Sequence, residues 1–146
     1  MQLPEYDTMD AMEMAELVKK GELSPKDLRE ASLRELQAGE KRSHWMWFIF
    51  PQLRAPNQSE MSRRFAFRSL DEATDFLHHE VLGPRLIQCT EAVLQHPDRT
   101  ALEIFGAIDA SKFHRCMSLF SRIRNADPVF ERALHIFFDG ERADPI

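Results

Sequence analysis

The sequence predicts an all-α protein, a compact orthogonal bundle of six to seven helices. Three observations carry this. Helix caps recur along the chain, apolar residues follow them at three- and four-residue spacing, and strand signals are nearly missing, with no Asn-Gly hairpin and no sustained alternation. A length of 146 residues with 43% hydrophobic and 29% charged composition makes a single domain over 1–146 the expectation, and excludes collagen-like, low-complexity and wholly disordered chains.

Asp7 or Thr8 can cap a first helix with Met12, Ala15 and Val18 on one side, ended by Gly21. Ser24-Pro25-Lys26-Asp27 supplies a cap, a first-turn proline and an acid suited to the helix dipole, and the second helix then runs to Gly39. Trp45-Met46-Trp47-Phe48-Ile49-Phe50 is closed by Pro51 and reads as a buried helix beginning near Ser43. Leu53 to Ser59 is then an irregular connection long enough to lie over a site. Ser69-Leu70-Asp71-Glu72 and Thr100-Ala101-Leu102-Glu103 match the reciprocal capping box. Gly83-Pro84 opens a helix between them, Gly106 stops the one after Thr100, and Asp109 and Asp127-Pro128 begin the last pair.

The net charge of −5 is unevenly spread. Residues 1–40 carry ten acids and five bases, and residues 69–146 carry thirteen acids and eight bases. Between them Lys41, Arg42, Arg54, Arg63, Arg64 and Arg68 face only Glu60, a local excess of five positive charges in an acidic protein. These bases either pair with the acidic flanks or form an anion site. With a sequence pI near 5.7 the chain is a poor general nucleic-acid binder, so a small phosphate or carboxylate ligand is the better fit. No apolar run is long enough to span a bilayer and the N-terminus lacks signal-peptide features, so a cytoplasmic protein without membrane contact is expected. Cys89 and Cys116 have no paired spacing and read as reduced and buried.

Lys41, Arg42, Ser43 and His44 precede the aromatic run. On a helix start they would bring free N–H groups, two cations and an imidazole together, with His44 as the group for proton transfer. They equally fit a plain structural role, with Ser43 as a cap and His44 in the core. Trp45 and Trp47 either pack in the core or line the apolar side of a pocket. His78, His79, His96 and His114 lack partners at ligand spacing, so neither a metal nor a cofactor is expected.

The run Lys41-Arg42-Ser43-His44-Trp45-Met46-Trp47-Phe48-Ile49-Phe50-Pro51-Gln52-Leu53 resembles the signature of a bacterial family, domain of unknown function eighteen-ten. The resemblance continues through Ser69–Ala73, Val81–Leu86, Cys89–Ala92, Ile104-Phe105-Gly106, Lys112, Met117, Leu119-Phe120 and Phe138-Asp139-Gly140, covering about residues 33–140. It implies a mainly helical cytosolic protein and no particular activity. The "calpastatin" label often given to that family has no support here, because calpastatin repeats are disordered. Two positions depart from the pattern: a glycine-containing loop reads Ala55-Pro56-Asn57, and His114 stands where an arginine is expected. Gln52, Arg85 and Lys112 are polar residues inside matching segments, and so join the candidate ligand-binding set. Residues 6–35 resemble the N-terminal helical hairpin of amidase-signature hydrolases without their catalytic region. This hairpin, 1–35, is expected to pack on the 36–146 core, its first helix docking over the basic segment.

The functional expectation is therefore a protein that binds a small anionic ligand, a nucleotide or a phosphorylated or carboxylated metabolite. Lys41, Arg42 and His44 would hold the anion, Trp45 or Trp47 would line the pocket, and Arg85 or Lys112 would close it. The rival reading is a non-enzymatic module that docks a protein or RNA, and the assembly is a monomer or homodimer.

Overall fold

The computed structural model describes residues 25–143, and every element among them is helical. Helix α1 spans Pro25–Ala38. Gly39 ends it at a φ of +78°, where its amide donates to the Leu36 carbonyl and a side chain would press on the His96 ring. His96 Nε2 lies 2.9 Å from that same carbonyl, tying the end of α1 to the region after α5. The helix expected from Ser43 is reduced to one turn, α2, Met46–Ile49. The amides of Arg42 and Ser43 point at a carboxylate instead of starting a helix, and Pro51 prevents extension.

Helix α3, Glu60–Phe65, lies in a stretch for which the sequence suggested no element; Ser59 Oγ caps it by accepting from Ser62 N. Helix α4 is Leu70–His78. Its Ser69 cap is as expected, but Glu72 reaches back to Arg68 N, one residue further than a reciprocal box. Helix α5, Leu82–Leu94, is capped by His79, whose Nδ1 accepts from Val81 N and Leu82 N. Helix α6, Ala101–Phe105, carries the complete Thr100–Glu103 box. Gly106, at φ +83°, turns the chain directly into α7, Ala107–Ser121, which begins two residues before Asp109. Helix α8 is Val129–Phe138. The described residues thus hold eight helices where six to seven were expected for the chain, and α3 is the one to which no expected helix corresponds. The first helix of the expected hairpin, and the docking assigned to it, lie outside the described residues.

Helix α5 packs against α1, α4 and α8, while α7 packs against α4, α6 and α8. Phenylalanines knit the layers together: Phe67, Phe76, Phe120 and Phe130 form one chain of ring contacts, and Phe50, Phe105 and Phe113 another. Cys89 and Cys116 are buried free thiols; burial pushes Cys89 up to about 11 and Cys116 well above its ordinary value, so neither is nucleophilic. No helix among the described residues is long and apolar enough to cross a membrane.

Candidate functional site

The stretch expected to cradle an anion already holds one, supplied by the chain itself. Glu35, on α1 and only 8% exposed, accepts through Oε1 from Arg42 N at 2.6 Å, Ser43 N at 2.9 Å and the Trp45 indole N–H at 3.1 Å. Its Oε2 accepts from Ser43 Oγ at 2.7 Å. Burial alone would raise this carboxyl, but the backbone and side-chain donors of Arg42, Ser43 and Trp45 outweigh it and hold the group below its ordinary value.

The cations of this stretch are also largely engaged. Lys41 Nζ lies 2.7 Å from Asp109 of α7 and 5.2 Å from the centre of the Trp45 ring, with its side chain only 7% exposed. Lys112 approaches the same carboxylate at 3.6 Å. Lys41, Trp45 and Lys112 are therefore brought together, but around an internal carboxylate. Arg42 is exposed beside Glu40, and His44 is exposed rather than a core histidine. Trp45 is fully buried and Trp47 nearly so, packed 4.9 Å from Phe65, so neither ring lines an open surface. Gln52 is buried and its carbonyl accepts from Phe67 N. The Arg85 guanidinium lies 4.6 Å from the Phe48 ring centre. His114, at the position of the departed arginine, stacks on Phe138 and meets the Glu141 carbonyl, fixing the segment after α8.

The rest of the basic segment builds a different feature. Residues 52–67 form a closed excursion, pinned at its base by Arg54 N donating to Phe67 O and Phe67 N donating to Gln52 O. Leu53 and Phe67 make an isolated parallel bridge there. Gln58 braces the outward strand of the loop: its Nε2 donates to Leu53 O at 2.8 Å and its Oε1 accepts from Ala55 N at 3.0 Å. Phe65 anchors the returning helix against Trp47 and Phe48. Between the two limbs opens a cleft of about 460 Å³ lined by Arg54, Gln58, Glu60, Arg63 and Arg64, a size within the usual range for small-molecule sites. Among the described residues its wall carries the guanidiniums of Arg54, Arg63 and Arg64 and the carboxylate of Glu60, so cations outnumber anions there. Arg54, Arg63 and Arg64 were visible in the sequence only as part of the charge imbalance. What placed them together was the unforeseen α3 and the backbone pairing at Phe67.

Among the described residues no group of three or more His, Cys, Asp or Glu side chains is placed to hold a metal ion. A family model described as "Protein of unknown function (DUF1810)" matches residues 24–145. The crystal structure of the conserved hypothetical protein Rv1873 from Mycobacterium tuberculosis is similar, with 38% identity over 91% of this chain and 92% of that one and a TM-score of 0.77. No curated protein matches the sequence. The family match begins after most of the amidase-like stretch, and no comparison supports that second resemblance.

Proposed function

Because this chain belongs to the DUF1810 family of proteins of unknown function, its activity has to be read from its own side chains, and we propose that it binds a small anion in the arginine-lined cleft of residues 52–67. The observation behind this is the convergence of Arg54, Arg63 and Arg64 on one cleft of about 460 Å³ whose rim is held by backbone hydrogen bonds. Guanidinium groups suit phosphate and carboxylate because they offer several N–H donors in a planar fork, and a braced loop lowers the ordering cost of binding. The sequence-level choice of Lys41, Arg42 and His44 as the anion contacts is less well supported, since Glu35 and Asp109 already occupy the donors and the ammonium there.

A thermal-shift panel of inorganic phosphate, nucleotides and di- and tricarboxylates tests the proposal. An anion that raises Tm in the wild type, and fails to do so after Arg63→Ala, supports it. Stabilisation that survives Arg63→Ala but disappears with Arg42→Ala returns the site to the segment before α2. No stabilisation by any anion, with capture of a protein or RNA, favours the interaction module.

A further inference from the structure

We infer that the cleft takes a phosphorylated sugar rather than a bare anion or an amino-acid-like ligand, a conclusion that rests on the anion-site reading above. The deciding group is Glu60. It lines the same cleft as the three arginines, is exposed, and forms no ion pair among the described residues. A site for inorganic phosphate alone gains nothing from a carboxylate, which repels the ligand. Together with the guanidiniums it complements a molecule that carries an anion at one end and hydrogen-bond donors at the other. Ionised carboxylates only accept, so the matching ligand group is a donor, either an uncharged one such as a hydroxyl or a charged ammonium.

The size and charge of the cleft together disfavour the ammonium. Its volume of about 460 Å³ corresponds to a sphere of about 5 Å radius, well within the distance over which charges interact at physiological salt. An ammonium placed against Glu60 would feel one attractive charge and the repulsion of at least the exposed Arg54 and Arg63 guanidiniums. A hydroxyl takes the same hydrogen bond without that repulsion. A phosphate group suits the forked donors of Arg54 and Arg63, and a pentose or hexose ring fills a space of this order. Gln58 is held by the loop backbone at both ends of its amide, so its first role is to brace the loop.

Titration calorimetry with ribose 5-phosphate, glucose 6-phosphate, inorganic phosphate, phosphoserine and free ribose tests this on the full chain. The expected result is that at least one sugar phosphate binds the wild type about tenfold or more tightly than inorganic phosphate and phosphoserine, with free ribose not binding. Glu60→Ala should tighten inorganic phosphate while removing most of the sugar preference, and Glu60→Gln, which keeps an uncharged acceptor, should fall between. Equal binding of sugar phosphate and inorganic phosphate by the wild type, tighter binding of phosphoserine, or a preference that survives both Glu60 variants overturns the sugar assignment while leaving the anion site standing. If no phosphate compound binds, or if binding is unaffected by Arg54→Ala and Arg63→Ala, the anion site itself falls.

Discussion

Removing the Glu35 carboxylate is the sharpest test of how the segment before α2 is built. In Glu35→Ala the indole N–H of Trp45, on a fully buried ring, loses its acceptor. An orphaned buried donor costs roughly 1–3 kcal/mol. The Arg42 and Ser43 amides lie nearer the surface, where water replaces much of what they lose, so together they add about 1 kcal/mol. The total is about 3 kcal/mol, equivalent to a fall of roughly 10 °C in Tm for a domain of this size. Urea unfolding followed by tryptophan fluorescence measures it directly, since Trp45 reports on the site. Acid provides a second arm. Because the folded carboxyl sits below its ordinary value of 4.5, its contribution is fully present above that pH and is lost as pH falls through the folded value. The stability gap between the wild type and Glu35→Gln should therefore be constant near neutrality and close below about pH 4.5. A Glu35→Ala protein within 1 kcal/mol of wild type, or a gap that widens in acid, would refute the reasoning.

Gly83→Ala should cost at least about 3 kcal/mol, because the added Cβ falls on the backbone carbonyl oxygen of Leu77, which no side-chain rotation can move away; an unchanged urea midpoint would show that the α4–α5 corner yields. Asp109→Asn should cost about 2 kcal/mol by stranding the Lys41 ammonium, and Asp109→Asn combined with Lys41→Met should recover part of that; full additivity of the two changes in chemical denaturation would deny the coupling. Trp47→Ala should cost on the order of 3–5 kcal/mol, and an unmoved denaturation midpoint would place the ring at the surface.

The helical class and most boundaries were legible because they depend on local chemistry. Pro25 and Gly39 bracket α1, and the Thr100–Glu103 box opens α6, because a cap needs only a side chain and an amide three residues away. The elements that escaped depend on distant partners. The helix before Phe50 shortened because Glu35, seven to ten residues upstream, captures the donors that would have started it. His79 caps α5 from a position where the sequence suggested only a metal-poor histidine pair. Helix α3 follows a serine cap that is ordinary in isolation, and it is fixed in place by Phe65 and Phe67 reaching the core on either side of Ala66.

The charge imbalance was the sequence's best functional clue, and the fold divides it into two parts with different energetics. Lys41 is used inward: a buried ammonium needs a carboxylate, and Asp109 meets it while the Trp45 ring covers one side. Arg54 and Arg63 are used outward, on an excursion whose closure depends on the backbone and on Gln58 rather than on their own charges. This separation means that replacing Arg54 or Arg63 should leave stability within about 0.5 kcal/mol of wild type, as for surface substitutions away from special features, while changing anion binding. Gln58→Ala should do the reverse of a direct contact, weakening every anion together by loosening the loop and leaving their relative order intact. Urea midpoints and calorimetric affinities measured on the three variants check both halves. A large stability loss in Arg63→Ala would show that its guanidinium holds the loop shut, and the cleft would then be a by-product of folding instead of a place for a ligand.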